Sequence, residues 1–404
     1  MSAVPEPHQP RLRTGRREGE RVTPLELFFD LVFVLAITQC TALMSHHPTW
    51  SGIGQGLLVL GVLWWGWVGY AWLTSVVDPE EVPVRLAIFV AMASLLIVSL
   101  CVPEAFGDLA LTFALAFGVF RVAHITLFVL ASADEDGLRH SVIGLAISTA
   151  LAVTLLALAS LFDGLAQGAL WALAIFLDMG GPYLFGAEGW RLVPGHFAER
   201  HGLIVIIALG ESIVAIGVGA AGHLDLGIGT AAVLGVGLAA ALWWTYFDIV
   251  ATVSARRLAE AEPGREQNEL ARDSYSYIHF ALVAGIVLSA FGLKVTIGHT
   301  ADHLHAVPAF ALLGGVAAYL LGLVGFRLRH VHTLSRRRFG FAVILLLLVP
   351  VATEIPALAT LAIVDLLLVA MIVLDTRSYG EGRERVRRET SVGRVEENEP
   401  GTTG

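Results

Sequence analysis

Apolar stretches long enough to cross a bilayer recur from one end of this chain to the other, and no other feature limits its fold as much. A membrane-spanning helix needs about 20 mainly apolar residues. About twelve such runs can be marked, at 24–44, 53–77, 84–103, 108–131, 140–161, 165–185, 197–220, 226–250, 275–297, 306–328, 338–353 and 355–375. The last two share the short break "PVATEIP" and could instead form one broken hairpin. Only 15% of the 404 residues are charged, against about 25% in soluble domains. The 42 glycines suit close helix contact in lipid. The expected fold class is an all-α integral membrane protein of about twelve transmembrane helices.

Arginine placement sets the orientation. Short loops rich in Lys and Arg stay cytoplasmic. Arg11, Arg13, Arg16, Arg17 and Arg21 precede the first span, which predicts a cytoplasmic N-terminus. Every second loop should then be basic. Those loops carry Arg139, Arg191, Arg256, Arg257, Arg265, Arg272, Arg327, Arg329 and Arg336 to Arg338. The opposite loops ("SHHPTWSG", "VPEAFGD", "FDG", "GAAGHLD", "TEIP") hold no Lys or Arg. The single lysine, Lys294, sits near the outer end of the ninth span. Both termini are therefore predicted to be cytoplasmic. The first apolar run contains acids and lacks a small-residue cleavage site, so it reads as a first span rather than a signal peptide.

Four regions follow: a basic cytoplasmic segment at 1–22, six-helix repeats at 23–190 and 195–378, and a disordered cytoplasmic tail at 379–404. The tail mixes Arg and Glu without apolar anchors. The repeat rests on ordered echoes. "LGVLWWGWVGYAWL" (60–73) is matched by "AAALWWTYFDIVAT" (239–252), and "WALAIFLD", ending at Asp178, by "TLAIVD", ending at Asp365. Six spans is an even number, so the halves would share orientation about an axis along the membrane normal.

Carboxylates within the spans are the chemical signal. Glu26 and Asp30 lie four apart on one face of the first helix. Thr23-Pro24-Leu25-Glu26 has the form of a capping box with Pro at the first helical position, which explains Glu26 structurally. Asp30 lies a turn deeper, where an acid normally faces the protein interior with a partner. Partners expected at matching depth are Arg121 and His124 on the fourth span, Arg85, Asp178 on the sixth, and His279 on the ninth. The seventh span, "FAERHGLIVIIALGESIVAIGVGA", carries Glu199, Arg200 and His201 at its inner mouth and Glu211 near its middle. Burial favours the uncharged form of a carboxyl group, so Glu211 is the best candidate proton carrier. Together these groups suggest a polar vestibule open to the cytoplasm, lined by the first and seventh spans. Constriction is expected at Leu35 and Ile37 on one and at Ile213 on the other.

Other signals are weaker. Cys40 and Cys101 lie near outer span ends and read as a bridged pair or as buried free thiols. The outer loop "HTADHLH" (299–305) holds His299, Asp302, His303 and His305, which read as loop polarity rather than a metal site. Trp64, Trp65, Trp67 and Tyr70 read as packing and interface anchoring. No phosphate-binding glycine loop, nucleophile elbow or zinc spacing is present, so neither a cofactor nor a metal is expected.

The stretches "TPLELFFDLVFVLAITQ" and "ERHGLIVIIALGESIVAIG" resemble the two signatures of the bacterial low temperature requirement protein A family (LtrA), and the resemblance covers roughly 21–378. It implies a multi-pass protein of the bacterial inner membrane, without a settled activity. "FFDLVFVLAIT" (28–38) is also similar to the first-helix signature of the lysosomal and prokaryotic potassium-channel family. That similarity implies six-span units, with the first and seventh helices lining a pore. Asp30 would then belong to the polar network behind the pore helix, and Leu35 would fall near the constriction. Phe29 stands where that motif has Ser, Glu26 where it has Arg, and the second half has no such triplet. Potassium selectivity is therefore not carried over.

The leading functional expectation is a channel or transporter for a small ion or solute. The alternatives are an intramembrane enzyme acting on a lipid or isoprenoid substrate, and a non-catalytic membrane sensor linked to cold growth. Expected partners are membrane lipid and the small ion or solute. A homodimer is compatible with the layout, and nucleic acid is not expected.

Overall fold

The computed structural model describes residues 21–132, 136–184, 190, 192–220, 222 and 224–398, with side chains to Arg377 except that of Asp136. The basic segment 1–20, Arg191 and the end of the tail at 399–404 lie outside the described residues. Among those described, the regular elements are helices, joined by turns and loops, with an isolated bridge between His303 and Pro356. The helices are α1 (Pro24–His46), α2 (Trp50–Val76), α3 (Val82–Cys101), α4 (Ala110–Ala131), α5 (Asp136–Ala159), α6 (Gly164–Leu184) and α7 (Pro194–Ala220). They continue as α8 (Leu226–Phe247), α9 (Val250–Glu260), α10 (Arg265–Ala271), α11 (His279–Gly298), α12 (Ala306–Val331), α13 (Arg336–Ala352) and α14 (Ala357–Asn398).

Eleven of the described helical stretches are long and apolar enough to cross a membrane. The twelfth expected run is α13, a helix joined to α14 by the short turn 353–356. Its 17 residues open with three arginines and reach about 26 Å at 1.5 Å per residue, at the lower end of what crosses a bilayer. The ninth span is longer than its apolar run. Helix continues from Arg265 to Gly298, and its segment Arg272–Ile278 is wound as a π-helix. The backbone of α14 also continues past the apolar run, to Asn398. There the sequence sets Glu four residues ahead of Arg at 381/385 and 384/388, a spacing that favours helix.

Helix ends follow the local chemistry. The amide of Thr23 donates to Glu26 Oε2 at 2.9 Å, and the Glu26 amide donates to Thr23 Oγ1 at 3.4 Å, closing the capping box. Asp225 caps α8 by accepting from the Ile228 amide at 2.8 Å. Past α12, His332 takes the left-handed conformation (φ 56°) that ends helices.

The chain divides into two compact units. Unit 1 holds residues up to Ala36, Gly61–Phe197 and Glu262–Asn268; unit 2 holds Ile37–Leu60, Ala198–Ala261 and the chain from Glu269. In unit 1, α3 packs on α4, α4 on α5 and α5 on α6. In unit 2 the closest pair is α11 with α12. There a Cβ added to Gly285 would sit 2.6 Å from the Gly315 carbonyl oxygen, and one on Gly315 would sit 2.6 Å from the Ser289 nitrogen. Only glycine lets the two backbones touch, which is the usual basis of tight packing in lipid. Cys40 and Cys101 are both free and buried.

Candidate functional site

Each unit carries its own polar centre. In unit 1, Arg121 on α4 and Asp178 on α6 form an ion pair at 3.0 Å, with both side chains almost wholly buried. Thr149 on α5 donates to Asp178 at 3.0 Å and also receives Arg121 Nη2. Polar residues on three neighbouring helices thus meet, while Arg121 Nε and Nη1 are buried with no hydrogen-bond partner among the described residues. His124 lies one turn beyond Arg121, and Gly69 on α2 makes room for both. A Cβ there would meet His124 Cε1 at 2.7 Å and Arg121 Nη1 at 3.2 Å.

Asp30 is 1% exposed and accepts from the indole N–H of Trp67 at 2.9 Å. Arg121, one of the partners expected for it, is bound to Asp178 instead. Arg85 is exposed and pairs with Glu80 at 2.9 Å. The tryptophans are therefore not interface anchors: Trp64, Trp65 and Trp67 are buried. The reason is that α2 is apolar on all sides, as an interior helix is. The ring of Tyr70 lies 4.8–5.1 Å between centroids from those of Phe29, Phe120 and His124.

Glu26 does more than cap α1. His196 Nε2, at the start of α7, lies 2.8 Å from Glu26 Oε1, and its Nδ1 lies 3.0 Å from the Ser75 hydroxyl. His196 is wholly buried. It escaped notice in the sequence because it precedes the charged run Glu199-Arg200-His201 and sits beside a proline and a glycine, where a loop residue is the ordinary reading.

In unit 2, Glu211 lies near the middle of α7 and is 3% exposed. Thr38 of α1 donates to its Oε2 at 2.6 Å. Lys294 of α11 is near enough for its charge to act on the same carboxyl. Neither partner was singled out in advance. Along α1 the order is Glu26, Asp30, Leu35, Ile37, then Thr38 with its bond to Glu211. The residues expected to close the path outward thus precede Glu211 on that helix. Leu35 is partly buried, Ile37 is buried and Ile213 is half exposed.

At the other end of α7, Glu199 is exposed while Arg200 and His201 are buried. His279 Nε2 donates to the carbonyl oxygen of His201 at 3.1 Å, bringing two predicted residues together. The π-helical segment ends directly before His279 and places Tyr275 beside it. Phe326 and His330 of α12 complete this aromatic group. Among the described residues, no three His, Cys, Asp or Glu side chains gather as metal ligands would. The loop residues His303 and His305 are exposed.

Comparison with known proteins places this geometry in a family. Residues 21–373 match the family model of the bacterial low temperature requirement A protein (LtrA). The chain is also similar to the uncharacterized protein RA0937 of Rhizobium meliloti (strain 1021), at 29% identity over 394 residues covering 93% of each chain. No solved structure matches it. With both signature stretches inside a match that spans nearly all of its membrane helices, this multi-pass membrane protein belongs to the LtrA family.

Proposed function

We propose that this protein moves a small ion or solute across the bacterial inner membrane, as a channel or transporter whose path is lined by α1 and α7. The observation that carries the reading is Glu211. A carboxyl group in the middle of a membrane span is costly and is normally retained for function. This one is not a helix cap; it accepts a hydrogen bond from the hydroxyl of Thr38, and the charge of Lys294 acts on it. Such a setting lets a carboxyl bind and release a proton or a small cation. Asp30, held by Trp67, is the second central carboxylate. Glu26, Glu199, Arg121 and His124 are supporting polar groups. Two six-helix halves in parallel orientation, with both termini cytoplasmic, belong to the same proposal.

The test is ion flux in proteoliposomes holding the full chain, read with a pH dye under potassium and sodium gradients. Wild type should conduct or exchange at least one ion. Asp30→Asn and Glu211→Gln should reduce that flux to the level of empty vesicles while melting at the wild-type temperature. No flux for any of the three ions, with all proteins equally stable, would rule out ion transport.

A further inference from the structure

The final span of unit 2 holds an acid that none of these pairings explains. Asp365 lies about 12 Å along α14 from Ala357, well inside the apolar stretch. It is 9% exposed. Its Oδ1 is buried with no hydrogen-bond partner among the described residues. Its Oδ2 faces α8, where a Cβ added to Gly237 would sit only 3.1 Å away. Glycine at that position gives the carboxyl room against the neighbouring helix and offers it no donor.

The helices packed on α14 are α8, α11 and α13, and their titratable and charged groups are engaged elsewhere or act elsewhere. On α11, His279 is bonded to His201, and Lys294 acts on Glu211. On α13, Arg337 and Arg338 pair with Asp375, and Arg336 opens the helix at its far end. On α8, Tyr246 lies in its last turn. Among the described residues Asp365 forms no ion pair, and its Oδ1 has no hydrogen-bond partner. A carboxylate among hydrocarbon, with neither a cation nor a donor, is strongly disfavoured against its neutral acid. Among the described residues, no group of three His, Cys, Asp or Glu side chains gathers here to hold a metal cation.

We propose that Asp365 is a proton-binding site within unit 2, a carboxyl group that is neutral at rest and available to release and rebind a proton. This rests on the surroundings of Asp365 and not on the role given to Glu211, so it stands even if flux assays are negative.

Infrared spectroscopy of the purified full chain tests it, through the C=O stretch of protonated carboxyl groups. Dicyclohexylcarbodiimide supplies a second readout. A carboxylic acid adds whole to this reagent: the acid proton passes to one nitrogen, the carboxyl oxygen bonds the central carbon, and acyl migration leaves a stable N-acylurea. Asp365→Asn should lose part of the protonated-carboxyl band, and the wild type should carry the adduct at residue 365. Asp375, paired with two arginines, should carry none. A band of unchanged intensity in Asp365→Asn overturns the proposal, whatever the labelling shows. A band that falls without any adduct supports it and shows that the reagent does not reach the site. Should Asp365→Asn fail to fold, Asp365→Glu replaces it: a shifted band supports the site, and an unshifted one overturns it.

Discussion

Asp178 and Asp365 end two similar stretches, "WALAIFLD" and "TLAIVD", yet they meet different surroundings. In unit 1, Asp178 meets Arg121 and Thr149 through its Oδ1. In unit 2, Asp365 faces Gly237 and leaves an oxygen without a partner. The helix that carries the acid is much the same in both; the helix opposite decides its chemistry. An arginine there turns the acid into a structural tie, and a glycine leaves it a titratable group.

Substitutions can break or sharpen this contrast. Asp178→Leu leaves Arg121 buried without its counter-charge and should cost about 3–5 kcal/mol, read as denaturant unfolding in detergent micelles. Adding Arg121→Leu should return most of that loss, because replacing both ions by apolar groups is often neutral. Trp67→Phe removes a donor from buried Asp30 and should cost about 1–3 kcal/mol. Thr23→Ala opens the capping box of α1 and should cost about 1 kcal/mol, seen as a small drop in melting temperature. Asp365→Leu should change stability least, by about 0.5 kcal/mol or less, since no partner is orphaned. Equal losses for Asp178→Leu and Asp365→Leu would erase the distinction between the two acids.

Much of the fold was legible in the sequence. Run length marked the spans, and Thr23-Pro24-Leu25-Glu26 marked a helix start through chemistry confined to a few residues. The partners of the buried acids were not legible, because they depend on how each helix is rotated against its neighbours. Arg121 lay at a suitable depth for Asp30, but its bond is to Asp178. His196 carries no motif, and the stretches that hold Thr38 and Trp67 do not say which acid each meets; only their positions beside Glu26, Glu211 and Asp30 give them meaning.

The π-helical stretch at Arg272–Ile278 has a mechanical consequence. Such a turn holds one residue more than an α-helical turn can accommodate, a surplus enclosed between regular helix on both sides. Sliding that surplus by one residue along the chain would turn the side chain it passes through about 100° while leaving both ends of the span at their original heights. Tyr275 and the ring of His279 beside it lie where such a slip would act. A span anchored in lipid at both faces thus has a way to reorient an internal group by rotation, with no vertical travel.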